Sequence, residues 1–314
     1  MICNCKKKKE TSGVLRFNVP KNLNLSFNDL IFGNLEVNTN NIENFALLRS
    51  DKSPTYMLAV VVDDFEMDIS HVIRGEDHKT NTFKQILLYK AFNKKIPIFA
   101  HLPLNLGEDG KKLSKRNGNT SVNYYLEKGY VPDALFNIVL KLGWGFANEE
   151  IISRDKIVEI FEFKDVKKSA AKFDEKKLLS FSGKYLRNHD YSKEINDYFL
   201  EYFHCQTDLI SKLYEEVSKR SNTFNDFYSN LDFMFKSNDF KISKELFDAI
   251  SCIDHWTKEE ILKNIKDFCS KNNQDFKNVS KQYRLKLTGK EHSIDIFKLM
   301  EVYGKEKTLS LLQF

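Results

Sequence analysis

The sequence predicts an α/β domain followed by an all-α region, and three observations carry that expectation. Between Pro54 and Gly118, Ile69–Ile73 reads as a strand and Ile96–Leu104 as a second apolar run; Thr82–Phe92 lies between them with Phe83, Ile86 and Leu87 at helical spacing. Strand, helix, strand, loop is a doubly wound pattern, in which ligands collect beyond the carboxyl ends of the strands. From Ser121 onward the strand signals fade and helical patterns take over. Each predicted strand also delivers the chain to an ionisable segment, Arg74-Gly75-Glu76-Asp77-His78 after the first and Gly107–Gly118 after the second.

Composition bounds the rest. The 314 residues leave room for about two or three domains. Hydrophobic residues at 41% and charged residues at 30% suit a soluble protein with genuine cores. A net charge of only +5 means that a nucleic-acid partner must be met by local patches. No stretch approaches the ~20 apolar residues of a membrane span. Lys6–Lys9 are not followed by an apolar core, so the start does not read as a secretory signal. Five scattered cysteines fit a reducing cytoplasm. Cys3 and Cys5 form a lone C-x-C, and without a second pair nearby a zinc site is the weaker reading.

In chain order, residues 1–12 read as a disordered basic tail. Gly13–Pro20 alternates as a short strand, and Phe27–Val37 and Phe45–Leu48 add strand-like pieces between Asn and Gly turns. Residues 13–53 are therefore expected to be part of a β-rich insertion, too small to be a domain alone. Tyr56–Val62 is an apolar stretch, which puts Asp63 and Asp64 at a strand end in a structural rather than a metal-binding role. Tyr130–Gly143 is a punctuated helix with Pro132 near its start, Ala134, Leu135, Ile138, Val139 and Leu142 on one face, and Gly143 at its end. Helical patterns continue over Ser153–Phe161 and Asp174–His189. The Lys-, Asn- and Phe-rich remainder, Tyr191–Phe314, reads as mostly helical and without repeats.

The segment around which these elements are arranged is GEDGKKLSKRNG (107–118). It holds three glycines (Gly107, Gly110, Gly118) and four basic residues (Lys111, Lys112, Lys115, Arg116), with the Ser114 hydroxyl among them. Glycine permits φ > 0 and a mobile loop, and the clustered cations suit a polyanion whose charge shifts during a reaction. Taken alone, such a cluster reads more readily as a solvated basic turn.

Four stretches reverse that preference: LLRSDKSPTYMLAVVVDD (47–64), HVIRGEDH (71–78), QILLYKAF with FAHLPL (85–92, 99–104) and GKKLSKRNGNTSV (110–122). In this order they resemble a class I aminoacyl-tRNA synthetase, specifically bacterial glutamyl-tRNA synthetase. A weaker likeness runs on to RLKLTGKEHSIDIFKLMEVYGKE (284–306). The resemblance implies a fold of α/β plus all-α: the second half of a Rossmann-like catalytic domain, then helical stem-contact and anticodon-binding domains. In these terms 13–53 is the insertion remnant, 54–120 the catalytic half, 121–190 the stem-contact domain and 191–314 the anticodon-binding domain.

The same resemblance implies the site. KLSKR (Lys112, Leu113, Ser114, Lys115, Arg116) matches the mobile ATP-binding loop, with Lys115 the catalytic lysine that steadies the phosphates. Tyr56 and Arg74 fall on positions implied to contact glutamate, and His78 on one close to the adenylate. A forked guanidinium and a directed phenol suit a carboxylate. The structural alternatives are a core aromatic for Tyr56 and an ion pair with Glu76, Asp77 or Asp64 for Arg74. The implied cofactors are ATP and Mg²⁺, the implied partners glutamate and tRNA(Glu), and the expected form a cytoplasmic monomer without membrane contact. No His-x-Gly-His sequence occurs among the seven histidines. The chain is accordingly expected to lack the amino-terminal nucleotide-binding half, either truncated at its start or supplied with that half separately. The alternative from another class is a non-catalytic tRNA-binding protein or inactive remnant. The related enzyme that glutamylates a modified tRNA base fits less well, because the long helical tail here matches an anticodon-binding region.

Overall fold

The computed structural model describes residues 13–107, 110–113, 121–145, 151–205, 207–236 and 238–313. In chain order the elements are β1 (Leu15–Phe17), β2 (Asn24–Asp29), β3 (Gly33–Asn38), β4 (Phe45–Leu48), α1 (Tyr56–Glu66), β5 (His71–Gly75), α2 (Lys79–Ala91), β6 (Ile98–Leu102) and β7 (Asn105–Leu106). There follow α3 (Val122–Glu127), α4 (Pro132–Gly143), α5 (Arg154–Ile160), β8 (Ala171–Lys172) and α6 (Glu175–Asn188). The remaining helices are α7 (Ser192–Phe203), α8 (Leu209–Ser218), α9 (Phe224–Leu231), α10 (Lys244–Ser251), α11 (Lys258–Lys271), α12 (Phe276–Thr288), α13 (Ile296–Tyr303) and α14 (Lys305–Leu312). Among the described residues no helix is long and apolar enough to cross a membrane. The described residues form two compact units, one drawn from within 1–113 and 139–173 and the other from within 114–138 and 174–314.

The first unit is built on a four-stranded sheet in the order β3-β2-β6-β5. β5 and β6 are parallel and joined through α2, as the strand–helix–strand pattern predicts, and β6 is also parallel to β2. β2 and β3 form an antiparallel hairpin. Its turn is closed by the Asp29 side chain, whose Oδ1 accepts the backbone N–H of both Ile31 and Phe32 at 2.9 Å. Gly33 follows with φ 78°, a conformation that glycine adopts without Cβ strain. Val61, Ile86, Leu88, Tyr89 and Phe99 form the centre of the core against the sheet. A second cluster joins Ile31 and Ala100 to Trp144, Ile152, Ile157 and Val166.

The structure departs from the sequence reading in four places. Strands β2 and β3, expected in a separate small insertion, belong to the same sheet as β5 and β6. Asp63 and Asp64, expected at a strand end, lie in the last turn of helix α1. A run of seven apolar residues fits either period, and the choice is made by contacts outside it. Thr55 donates its backbone N–H to Leu47 and its hydroxyl to Ala46, each at 2.8 Å, and so pins the helix start to β4. The mainly helical stretch after Ser121 also contains β8, which pairs in parallel with β7. Within α4, Ala134, Leu135, Ile138 and Leu142 are buried as expected, whereas Val139 is 49% exposed.

The second unit is helical. Leu178, Phe181, Leu186, Ile195, Phe199, Ile210, Leu213 and Phe227 are fully buried where α6, α7, α8 and α9 pack together. α10 to α14 pack through α10 on α11, α11 on α13 and α12 on α14. Side-chain caps start several helices, namely Ser121, Asp174, Ser243, Thr257, Asp275 and Asp295. At α9 the Thr223 and Asp226 side chains form a reciprocal capping box.

Candidate functional site

The site residues in the described part of the chain lie in the first unit: Tyr56 at the start of α1, Arg74 at the carboxyl end of β5, His78 in the turn after it, and Lys112 and Leu113 after β7. Arg74 is the penultimate residue of β5 and stands opposite His101 in the register of β6. Its half-buried guanidinium is fastened by neutral acceptors. Nε donates to His101 Nε2 at 3.2 Å, and Nη2 donates to Thr82 Oγ1 at 2.6 Å and Gln85 Oε1 at 2.7 Å, with a longer contact to the His78 carbonyl at 3.4 Å. Thr82 and Gln85 are one helical turn apart on α2, so the helix presents both to the same strand end.

The carboxylates that offered an alternative explanation for Arg74 are all committed elsewhere. Glu76 pairs with Lys79 at 2.9 Å and accepts the Leu104 N–H; Asp77 pairs with Lys112 at 2.6 Å; Asp64 accepts the Tyr89 hydroxyl at 2.9 Å. Among the described residues Arg74 has no ion pair. Burial lowers its pKa, opposed chiefly by the Tyr56 phenol beside it and then by the more distant Asp64.

Tyr56 opens α1 and is 49% exposed, which removes the core-aromatic alternative. Its ring tilts against that of His78 with centroids 5.9 Å apart. His78 Nδ1 lies 3.1 Å from the Asn81 amide, and its Nε2 3.9 Å from Asp77. Tyr56, Arg74 and His78 are thus neighbours, although 18 residues of sequence separate the first two. The structure does the same for Lys112. A turn with Gly110 at φ 73° carries the chain back antiparallel to Asn105–Gly107, and Leu113 N–H bonds to the Asn105 carbonyl at 2.9 Å. Lys112 then reaches Asp77. Hydrogen bonding and the ammonium charge of Lys112 hold the Asp77 carboxyl below the usual carboxylate range. Ser114, Lys115 and Arg116 lie outside the described residues, as do Cys3 and Cys5.

Two residues of this constellation escaped the sequence reading, Asp29 and His101. His101 is fully buried, and its Nδ1 lies 2.6 Å from the equally buried Asp29 Oδ2, which also accepts the His101 backbone N–H at 3.1 Å. Burial pushes the imidazole pKa down, and Arg74 and Lys79 push the same way; the bond to Asp29 opposes them. A histidine in the middle of an apolar strand run was the available signal. Among the described residues no group of three or more His, Cys, Asp or Glu could hold a metal ion.

A guanidinium held by neutral groups, an exposed phenol, an imidazole and a lysine tied to a surface carboxylate thus gather at a strand end, an arrangement with the donors an anion needs. Comparison with known proteins shows the family. Residues 3–180 match the family described as tRNA synthetases class I (E and Q), catalytic domain, and residues 190–313 match the anticodon binding domain. The chain is similar to the glutamate–tRNA ligase of Aquifex aeolicus, at 38% identity over 93% of this chain and 67% of that protein. It is similar also to glutamate–tRNA ligase 2 of a Wolbachia strain from Brugia malayi, at 34% identity over 96% and 70%. Among solved structures, the glutamate tRNA ligase of Elizabethkingia meningosepticum in complex with its amino acid superposes with a TM-score of 0.76. Identity there is 32%, covering 95% of this chain and 67% of that one.

Proposed function

Because the chain belongs to the class I tRNA synthetases for glutamate and glutamine, with an anticodon-binding domain, we propose that it provides the lysine-loop side of a glutamate–tRNA ligase. The observation that carries this reading is Arg74, a half-buried guanidinium with no carboxylate partner among the described residues and the Tyr56 phenol beside it. A substrate carboxylate supplies the missing counter-charge; with Nε and Nη2 held by His101, Thr82 and Gln85, Nη1 is the nitrogen that donates to it.

In the proposed reaction an oxygen of the glutamate α-carboxylate attacks the α-phosphorus of ATP. A bond forms between that oxygen and phosphorus, and the bond to the bridging oxygen breaks with release of pyrophosphate. A ribose hydroxyl at the tRNA 3′ end then attacks the acyl carbon, and AMP leaves. Tyr56 and Arg74 hold glutamate, and His78 stands near the adenylate. The KLSKR loop (Lys112, Leu113, Ser114, Lys115, Arg116) meets the phosphates, with Lys115 strengthening its contact as negative charge builds on the leaving group. Lys112 exchanges Asp77 for phosphate when nucleotide arrives. Mg²⁺ enters the proposal only as the counter-ion of the ATP phosphates. Within the domain scheme, 54–120 carries this chemistry, 121–190 contacts the tRNA stem and 191–314 reads the anticodon, in a cytoplasmic monomer.

We propose further that the site is completed by a wall bearing a His-x-Gly-His sequence, which these 314 residues do not contain. Glutamate-dependent exchange of pyrophosphate into ATP tests it. The chain alone is expected to give no exchange, with or without tRNA, and addition of a segment bearing that sequence is expected to restore it. In the restored enzyme Lys115→Ala should lower kcat far more than it raises KM. Exchange by the chain alone, well above a Lys115→Ala control, would overturn that proposal. Failure to charge any tRNA when combined would favour the non-catalytic tRNA-binding alternative.

A further inference from the structure

We propose that Asp29 and His101 are positioning residues that hold the Arg74 guanidinium in place for a substrate carboxylate, through the buried chain Asp29 Oδ2 to His101 Nδ1 and His101 Nε2 to Arg74 Nε. The inference rests on the reading of Arg74 as the carboxylate-binding group, and it concerns residues on β2 and β6 that touch no reacting atom.

Each link follows from the donor and acceptor chemistry of its groups. Asp29 is fixed before it meets the imidazole, because the backbone N–H groups of Ile31, Phe32 and His101 all donate to its carboxylate. An ionised carboxylate only accepts, so at 2.6 Å the Nδ1 of His101 must carry the proton. In the neutral ring Nε2 is then a lone-pair acceptor. Arg74 can only donate, and its Nε–H points at that lone pair from 3.2 Å. The tautomer that Asp29 selects is the one that Arg74 needs. Thr82 Oγ1, 3.1 Å from the same Nε2 and 2.6 Å from Arg74 Nη2, braces the guanidinium from α2, and Gln85 Oε1 takes Nη2 beside it.

This arrangement solves a problem that a direct ion pair would create. A carboxylate on Arg74 would orient the guanidinium but cancel the charge that the substrate needs. An imidazole acceptor sets the direction of Nε and leaves the carboxylate one ring away. The packing makes the setting firm, since the His101 ring stacks on Phe99 at 6.2 Å with planes 11° apart and tilts against Phe27. Phe99 also lies under the Arg74 guanidinium at 5.7 Å.

The test reads Arg74 directly, by NMR of the full chain with ¹⁵N-labelled arginine, using Arg74→Lys to assign the Nε–H signal. Two variants separate the link from the bulk of the side chain. His101→Asn keeps a donor near the Nδ1 position for Asp29 and has no atom near Nε2. His101→Gln places a side-chain oxygen near Nε2. Loss of the His101 bond should speed hydrogen exchange at Arg74 Nε by about fivefold or more in His101→Asn. Exchange in His101→Gln should stay closer to that of the native protein, with both variants folded by circular dichroism. Equal Arg74 exchange in the native protein and His101→Asn would overturn the proposal, as would equal loss in the two variants. A glutamate titration forms the second arm, with a shift of the Arg74 signal expected in the native protein and a weaker one in His101→Asn. If the exchange pattern holds and glutamate leaves the signal unmoved, the positioning of Arg74 stands and the glutamate reading fails.

Discussion

Lys112 Nζ lies 2.6 Å from Asp77 Oδ2, tying the first basic residue of KLSKR to the turn that follows Arg74. The pair spans 35 residues of sequence and brings Lys112 to the turn that joins Arg74 to His78. Both partners are more than a third exposed, so the contact can open to a competing anion at small cost.

That contact sets the Asp77 titration. Lys112→Ala removes the largest cause of its lowered pKa, and the carboxyl should titrate closer to the ordinary range of about 4. A carboxylate depressed in the folded state contributes stability above its unfolded pKa and loses it as pH falls through the folded value. The contribution is therefore present at neutral pH and fades in acid, and at this exposure it stays below about 1 kcal/mol. Carboxyl carbon shifts followed against pH check it, and an Asp77 curve unchanged in the variant would contradict the assignment.

The buried imidazole predicts a second pH dependence, in a different window. His101 is faced by Asp29 from β2, Arg74 from β5 and Lys79 from α2, and its pKa is lowered in the fold. The unfolded chain binds the proton more readily, so stability is highest above about pH 6.5 and falls as pH drops below it. The melting temperature should decline from pH 7.5 to 5.5, and His101→Gln should flatten that decline relative to the native chain. Parallel curves would show that His101 does not contribute.

Gly129 and Gly289 allow a paired test of backbone geometry in the second unit. Both have positive φ, 74° and 66°. A Cβ on Gly129 would meet the backbone nitrogens of Asn225 at 2.7 Å and Phe224 at 3.1 Å, whereas at Gly289 the nearest atoms, on Asn238, are 3.7 Å away. Gly289→Ala should cost about 1 kcal/mol of conformational strain, and Gly129→Ala at least about 2 kcal/mol. Urea unfolding gives both values, and equal costs would remove the close approach as their cause.

The anticodon-binding domain predicts the behaviour of the chain toward RNA. If 191–314 reads the anticodon, the full chain should bind glutamate tRNA in preference to an unrelated tRNA. Its affinity should fall as salt rises, because each phosphate contact releases counterions. Filter binding with both tRNAs at two salt concentrations decides it, and equal affinity for the two would sink the recognition reading.

The sequence by itself determined the locally encoded parts of this protein. The helices α4 and α6 could be read because apolar spacing and end signals such as Pro132, Gly143 and Asp174 act within a few residues. Arg74, Lys112 and Tyr56 could be named because each sits in a short contiguous stretch that carries the family likeness. The tertiary structure alone decided what lies across long separations. The apolar run at Tyr56 became a helix because Thr55 is anchored to β4, a contact that no periodicity within the run encodes. Asp29 reaches His101 across 72 residues and His101 reaches Arg74 across 27, through parallel pairing of β2, β6 and β5. Parallel strands pair only after a crossover has formed, so an aspartate ending one hairpin strand and a histidine buried in another strand carry no local sign that they bond to each other beside an arginine.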